Sequence, residues 1–242
     1  MHILQFNHIF KLIIHAAGIH LSKALLLLLL SFSLIFHPSL SVAQSQGEMT
    51  AENMKQDESN RPGKLLVMGD SLSAAYGIEI NQGWVALLQK KYPQIDVVNA
   101  SISGETTSGG KQRLQALLEK YQPDIMVLEL GANDALRGQD LNVTKRNLQS
   151  MIDACLKFNK DCKVVLLGVQ LPTNYGPLYD QMFQKMYRDL AEKNNLLFDP
   201  FFIEPVALDP GLMQQDGLHP NAEGQPLILQ RIAPLLEKIL TK

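Results

Sequence analysis

A single histidine stands apart from the others in this chain, within the segment QDGLHPN at residues 215–221. The sequence has six histidines, five of which fall within its first 37 residues, so His219 is the only imidazole beyond them. Asp216 precedes it by three residues, and in a tight Asp-Gly-Leu-His turn the carboxylate can reach the imidazole Nδ1–H. Pro220 disfavours continuation as a helix and so holds the turn. The pattern predicts a general base, His219, oriented by an acid, Asp216.

A serine that such a base can activate follows an aliphatic segment near the start of the chain's folded part. MGDSLSAAYG, residues 68–77, places Ser71 on a turn directly after a Gly-Asp pair. Two polar loops carry further candidates: SISGETTSGG contains Gly104, and ELGANDALRG contains Asn133. These loops also have ordinary structural explanations, because the first can cap a helix and the second is a common turn.

Together, the candidates supply every part that ester hydrolysis requires. The reaction needs a nucleophile, a base, a group that orients the base, and hydrogen-bond donors for the oxyanion. Ser71, His219 and Asp216 match the first three parts, and Gly104 with Asn133 matches the fourth. The usual α/β-hydrolase motif G-x-S-x-G is absent, because no glycine follows the serine at the required position. The sequence therefore predicts a serine hydrolase of a different type.

Short aliphatic segments and the helical patterns between them must position these loops. Branched-aliphatic runs bounded by Gly, Asp or Asn are typical of buried strands, and their alternation with helices predicts βαβ units. We expect an α/β fold of three layers, α/β/α, with a flavodoxin-like parallel five-stranded sheet. Such sheets bind ligands beyond the carboxyl ends of their strands, where the candidate loops fall. A last helical pattern contains Pro234, which we expect to kink or divide the helix. The predicted strands are 64–69, 95–100, 124–130, 163–170 and 195–200.

The amino-terminal part of the chain differs in composition from the rest. Residues 1–43 contain no acidic residue, carry Lys11 and Lys23, and continue into the apolar run ALLLLLLSFSLIF and a small-x-small site, SVA. This pattern predicts a cleaved signal peptide, and hence a periplasmic or secreted protein. The alternative is an uncleaved leader that acts as a membrane anchor. Residues 44–63 are polar and predict a flexible linker. The expected folded domain is 64–242, which is a single-domain size.

Charge and cysteine content argue against several classes of partner. Without Lys11 and Lys23, 20 basic residues face 24 acidic ones, and no basic cluster is present, which argues against a nucleic-acid partner. Cys155 and Cys162 are close enough in sequence for a disulfide in an exported protein, and two unrelated thiols are the alternative. Two cysteines with one distant histidine are a poor zinc set, so we expect no metal site.

Four motifs in this order resemble those of the SGNH, or GDSL, hydrolase family: GDSLS, SISGET, GAND and DGLHP. The likeness is strongest to the bacterial periplasmic thioesterase I/lysophospholipase L1 and arylesterase subgroup, and it covers the whole predicted domain. It implies that Ser71 is the nucleophile, that His219 is the base and that Asp216 orients His219. It also implies an oxyanion hole formed by the backbone N–H groups of Ser71 and Gly104 with the Asn133 side-chain amide. No metal or organic cofactor is implied.

The resemblance also indicates where a substrate binds. In the resembling enzymes, segments equivalent to ALRGQD and QLPTNYG border an acyl groove, which makes Leu136, Leu171 and Tyr175 candidate substrate-binding residues. The implied activity is hydrolysis of a small-molecule acyl ester or thioester through an acyl-enzyme on Ser71. Aryl esters, short- to long-chain acyl esters and lysophospholipids, including membrane lipids, are open as substrates. The alternatives are a carbohydrate O-acetyl esterase and a non-catalytic periplasmic binding module. We expect a monomer.

Overall fold

Five parallel strands form the centre of the computed structural model, which describes residues 63–172 and 175–240. The predicted leader, 1–43, and all but the last residue of the predicted linker, 44–63, lie outside the described residues. All five strands lie within the segments predicted from the sequence. They are β1 (Lys64–Gly69), β2 (Asp96–Asn99), β3 (Ile125–Glu129), β4 (Lys163–Leu167) and β5 (Leu197–Asp199).

The strand order β2-β1-β3-β4-β5 confirms the predicted flavodoxin-like sheet. In the middle of β1, Leu66 pairs with Val98 of β2 on one side and with Met126 of β3 on the other. The central strands β1 and β3 are buried almost throughout, whereas the edge strands β2 and β5 are partly exposed. The chain reverses its direction of travel across the sheet between β1 and β3, and the carboxyl ends of these two strands therefore border a crevice.

The α-helices of the described residues flank this sheet in two groups, and a short 3-10 helix, Ile80–Gln82, precedes the first of them. They are α1 (Trp84–Lys91), α2 (Thr107–Tyr121), α3 (Ala132–Leu136), α4 (Leu141–Phe158), α5 (Pro177–Asn194), α6 (Glu204–Ala207) and α7 (Gln225–Leu240). α7 packs against α1 and α6, and α4 packs against α2 and α5. None of the described helices is both long enough and apolar enough to cross a membrane.

Pro234 lies inside α7 without dividing it, so of the two predicted outcomes, a kink or a division, the division does not occur. A proline in a helix removes one N–H donor and crowds the preceding turn. Here the residues around it, Ile232, Ala233 and Leu236, are all buried. Their packing against the core keeps both halves of the helix in place.

A disulfide joins Cys155, in the last turn of α4, to Cys162, directly before β4. The bridge was one of two alternatives at these positions, and the structure favours it over two unrelated thiols. It closes the short connection at the amino-terminal end of β4. The candidate loops lie at the opposite, carboxyl ends of the strands.

Candidate active site

Ser71 lies on a tight turn where β1 ends. The Asp70 carboxylate accepts a hydrogen bond from the Leu72 N–H at 3.0 Å, which closes the turn around the serine. Gly69 directly precedes Asp70, and a Cβ atom at Gly69 would lie only 2.7 Å from Ser73 Oγ. These close contacts hold Ser71 at the carboxyl edge of the sheet, as predicted from the sequence.

His219 and Asp216 form the predicted turn. Asp216 Oδ2 lies 2.7 Å from His219 Nδ1, and Asp216 Oδ1 accepts the backbone N–H groups of Leu218 and His219 at 2.9 and 3.0 Å. Gly217 between them has a φ of 64°, a left-handed conformation that glycine adopts without steric cost. The carboxylate therefore binds both the ring and the backbone of the turn, which fixes the orientation of the imidazole.

The environment of Asp216 favours its ionised form. Burial alone would raise its pKa, but hydrogen bonds from the His219 ring and from the backbone of Leu218 and His219 outweigh it and lower the pKa to about 2. Asp216 is therefore an anion at neutral pH. An anion in this position stabilises the imidazolium that forms when a histidine takes up a proton.

The imidazole and the serine meet at the carboxyl edge of the sheet. His219 Nε2 lies 2.8 Å from Ser71 Oγ, although 148 residues separate the two in sequence. The Tyr76 ring packs against the imidazole, with 4.6 Å between ring centroids. A hydroxyl, an imidazole and a carboxylate linked in this way can transfer the serine proton to the imidazole as the hydroxyl attacks a carbonyl carbon.

The three predicted oxyanion donors, Ser71, Gly104 and Asn133, line one cavity. Gly104 adopts a φ of 77°, which a residue with a Cβ atom rarely does. Among the described residues, no acceptor receives a hydrogen bond from the backbone N–H of Ser71 or of Gly104. Both N–H groups are therefore available to an oxygen atom in the cavity, as an oxyanion hole requires.

Asp70 orients the Asn133 side chain, a contact that was not predicted from the sequence. Asn133 Nδ2 donates to Asp70 Oδ2 at 2.9 Å, and this bond leaves the second hydrogen of the amide for the cavity. Asp70 is only 1% exposed. An acid directly before the candidate nucleophile, at the end of an apolar strand, was the signal in the sequence that could have identified this role.

A second buried carboxyl group, Glu129, lies next to the nucleophile turn. Its Oε2 accepts hydrogen bonds from Ser73 Oγ at 2.7 Å and from the Asp70 N–H at 3.2 Å. Burial raises the pKa of Glu129 well above its ordinary value of 4.5, and the nearby charge of Asp70 raises it further. Burial also raises the pKa of Asp70, against the opposing effect of its hydrogen bonds from Leu72 and Asn133. The sequence signal was an acid within an otherwise apolar strand.

An apolar cavity of about 310 Å³ opens beside Ser71. Leu136 and Leu171 line it as predicted, together with Val169. Tyr175 does not line it; its hydroxyl instead donates to the backbone carbonyl of Leu136 at 3.0 Å and so holds a residue of the cavity wall. Within the described residues, no three His, Cys, Asp or Glu side chains are grouped so that they could hold a metal ion.

Sequence comparison identifies relatives of this fold and site. The GDSL-like lipase/acylhydrolase family matches residues 67–227. The esterase TesA of Pseudomonas aeruginosa is 46% identical over 180 residues, which cover 73% of this chain and 89% of the relative. The thioesterase 1/protease 1/lysophospholipase L1 of Escherichia coli is 41% identical over 177 residues, which cover 73% of this chain and 84% of the relative.

Structural comparison agrees with these matches. The psychrotrophic esterase EstA from a Pseudoalteromonas species, solved in a form inhibited by monoethylphosphonate, superposes with a TM-score of 0.70. It is 40% identical in sequence, and the match covers 74% of this chain and 100% of that one. The resemblance drawn from the four motifs is therefore confirmed. The chain belongs to the GDSL-like lipase/acylhydrolase family, the SGNH hydrolases, and is a carboxylic ester hydrolase that acts on small-molecule esters.

Proposed function

We propose that the enzyme hydrolyses acyl esters and thioesters through an acyl-enzyme on Ser71, with His219 as the general base and Asp216 as the acid that orients it. The observation that carries this proposal is the 2.8 Å contact between Ser71 Oγ and His219 Nε2, continued by the 2.7 Å contact between His219 and Asp216. His219 is also the only histidine among the described residues, so no other imidazole there competes for the role.

Acylation begins when Ser71 Oγ attacks the carbonyl carbon of the substrate and its proton passes to His219 Nε2. The carbonyl oxygen becomes an oxyanion, which the N–H groups of Ser71 and Gly104 and the amide of Asn133 stabilise. Such donors act mainly in the transition state, and the loss of one typically lowers the rate by about 10²–10³-fold. The carbon–oxygen or carbon–sulfur bond to the leaving group then breaks, and the leaving group takes the proton from His219.

Deacylation repeats these steps with water in place of the serine. His219, neutral again, removes a proton from a water molecule that attacks the acyl carbon of the acyl-enzyme. The same three donors stabilise the second oxyanion. Its collapse releases the carboxylic acid, and the proton returns from His219 to Ser71 Oγ, which restores the starting state.

The apolar cavity supports an acyl chain longer than acetyl as the preferred substrate group. Leu136, Val169 and Leu171 are among its lining residues, and each methylene buried there contributes about 0.8 kcal/mol to binding. An acetyl ester of a carbohydrate, the alternative substrate, would leave most of this wall without a contact. Aryl, thiol and lysophospholipid leaving groups all fit the chemistry of the site.

The export of this enzyme is also part of the proposal. The acid-free, apolar segment 1–43 supports a periplasmic or secreted protein, and membrane attachment by an uncleaved leader is the alternative. The disulfide between Cys155 and Cys162 supports an oxidising compartment. We expect the folded domain to act as a monomer. Its elution volume in gel filtration tests this oligomeric state.

A covalent probe tests the assigned nucleophile. A fluorophosphonate, whose phosphorus is attacked by an activated serine, should add once, and peptide mass spectrometry should find it on Ser71. The likeness to an esterase inhibited by a phosphonate supports this choice of probe. Ser71→Ala should remain unlabelled, and His219→Ala should label far more slowly. Labelling of a different residue, or none in the folded protein, would overturn the assignment and favour a non-catalytic binding module.

The substrate class is tested on the same preparation. Initial rates with p-nitrophenyl esters from acetate to palmitate should give a kcat/KM that rises as the acyl chain lengthens beyond acetate. Since Leu171 lines the cavity, Leu171→Trp should lower the preferred chain length and leave acetate turnover largely unchanged. A maximum at acetate in the wild-type enzyme would favour the acetyl esterase instead.

A further inference from the structure

Two loops hold the reacting side chains, and secondary structure does not join them. The nucleophile loop, residues 70–79, carries Ser71, and the base loop, residues 212–221, carries His219. Among the described residues only two hydrogen bonds connect these loops directly. One is the contact between Ser71 Oγ and His219 Nε2, and the other joins Gln214 Nε2 to the Tyr76 carbonyl at 2.7 Å.

The first of these bonds cannot hold the loops together during the reaction. It is exchanged in every cycle, because Ser71 gives up its proton to His219 and then carries the acyl group. The imidazolium then donates to the leaving group instead of to the serine. The bond from Gln214 to Tyr76 involves no reacting atom and persists through these steps.

We propose that Gln214 is a positioning residue that sets the separation of His219 Nε2 from Ser71 Oγ by tying the base loop to the nucleophile loop. The inference rests on the proposed roles of Ser71 and His219. It assigns Gln214 no contact with the substrate, because Gln214 does not line the cavity beside Ser71.

The Gln214 side chain is placed so that it moves with His219. The backbone N–H of Gln214 donates to the His219 backbone carbonyl at 2.7 Å, and the backbone carbonyl of Gln214 accepts from the Gly217 N–H at 3.0 Å. Met213 and Pro220, on either side of these residues, form an antiparallel bridge. A shift of the base loop therefore carries Gln214 with it, and the bond to the nucleophile loop resists the shift.

The amide of Gln214 uses both of its N–H donors in this tie. Besides the Tyr76 carbonyl, Gln214 Nε2 lies 3.1 Å from the Pro220 carbonyl. A flipped amide would direct Oε1 at two carbonyl oxygens, which is repulsive, so only one orientation satisfies the site. The Gln214 side chain also packs closely against Gly77 of the nucleophile loop, since a Cβ atom on Gly77 would lie 2.1 Å from Gln214 Oε1.

The Pro220 carbonyl is in turn anchored to the core. Gln225, at the start of α7 and 2% exposed, donates from Nε2 to that carbonyl at 3.4 Å. Gln225 Oε1 accepts the N–H of Trp84, the first residue of α1, at 3.0 Å. The tie through Gln214 therefore connects the nucleophile loop to a base loop that is itself held by two helices.

Substitution of Gln214 tests the proposal, with the adjacent exposed glutamine as the matched control. Gln214→Met keeps the length of the side chain and loses both donors, and Gln214→Asn keeps the amide but is too short to reach both carbonyls. Each should lower kcat about tenfold, the effect expected for one or two lost hydrogen bonds, with KM within about twofold. The rate at which a fluorophosphonate labels Ser71 should fall in parallel. Gln215→Met should match the wild-type enzyme in all three measurements.

The outcomes separate this inference from the proposed function. If both Gln214 variants keep kcat and the labelling rate within twofold of the wild type, the positioning role is overturned. A rise in KM that accounts for the whole fall in kcat/KM would also overturn it, because that result places Gln214 in substrate binding. If the wild-type enzyme itself fails to label at Ser71, the proposed function is what fails. Melting temperatures of all variants, expected to lie close together, exclude a loss of rate through unfolding.

Discussion

At the scale of residues, the feature with the clearest physical consequence is the pair of buried carboxyl groups next to Ser71. Asp70 directs the Asn133 amide, and Glu129 accepts hydrogen bonds from the nucleophile turn at Asp70 and Ser73. Two anions this close repel each other, and burial, which leaves each side chain only 1% exposed, penalises the charge of both. Asp70, with donors on both oxygens, is the better placed of the two to hold a negative charge. We infer that Glu129 is the group that keeps its proton.

Glu129→Gln should therefore change how stability depends on pH. A carboxyl group whose pKa is raised on folding keeps its proton where the unfolded chain has already lost it, so stability falls as pH rises above about 4.5. Glutamine cannot titrate and can still accept hydrogen bonds from Ser73 and Asp70. The free energy of unfolding of the variant, relative to the wild type, should therefore increase between pH 4.5 and 7.5.

Urea denaturation of both proteins at several pH values measures this difference. Asp153→Asn, a change to an exposed acid on α4, is the matched control and should follow the wild type across the range. Parallel curves for Glu129→Gln and the wild type would show that Glu129 is ionised in the folded protein at neutral pH.

At the scale of elements, the two ends of the sheet differ in role: the carboxyl end carries the candidate catalytic residues, and the amino-terminal end carries the disulfide. The segments that follow β1, β2 and β3 carry Ser71, Gly104 and Asn133 at the carboxyl end, with Asn133 in the first turn of α3. At the amino-terminal end, the disulfide between Cys155 and Cys162 ties the last turn of α4 to the start of β4. We therefore expect that a change at the disulfide end affects the stability of the fold without affecting the chemistry at the carboxyl end.

Reduction of this disulfide should lower stability without changing catalysis. Closing a loop of this length in the unfolded chain is expected to stabilise the fold by about 2–3 kcal/mol. Dithiothreitol should therefore lower the urea midpoint of the wild-type enzyme, while kcat and KM below the transition stay constant. The variant with both Cys155→Ala and Cys162→Ala is the control, and its midpoint should not respond to the reductant. A fall in kcat on reduction, with the fold intact, would contradict the separation of the two ends.

At the scale of the whole molecule, the folded domain accounts for the chemistry, and we propose that the segment before it directs export. The leader predicted at 1–43 ends in the small-x-small site SVA, and the polar linker at 44–63 follows it. Both assignments rest on composition alone. On this proposal we expect the mature enzyme to begin after the leader and its disulfide to form in an oxidising compartment.

The mature amino terminus should lie near Gln44. Intact-mass measurement of the protein recovered from the periplasm or the medium of a Gram-negative expression host checks this directly. A change of the cleavage site, Ala43→Arg, should block processing and retain the full-length chain in the membrane fraction. Recovery of the unsubstituted protein as a full-length, membrane-bound species would favour the anchor instead.

The sequence by itself determined the strands and the parts of the site that are local. Aliphatic runs bounded by Gly, Asp or Asn predict buried strands because only burial on both faces accounts for that composition, and all five strands were found where predicted. The Asp216–His219 pair was predictable because the two residues are three positions apart in a short turn that contains Gly217, so local geometry alone brings them into contact. The motifs around Ser71, Gly104 and Asn133 indicated the chemistry before any of them could be placed in space.

The contacts between segments that are far apart in sequence were decided only by the tertiary structure. Asp70 and Glu129 are 59 residues apart, and Ser71 and His219 are 148 apart. No periodicity connects positions at such separations. The register of β1 and β3 brings Asp70 beside Glu129, and the packing of two loops over the end of β1 brings His219 to Ser71. The same reason explains why Tyr175 supports Leu136 instead of lining the cavity. It also explains why Gln214 looked like an ordinary loop residue: its partner, the Tyr76 carbonyl, comes beside it only once the two loops meet over the end of β1.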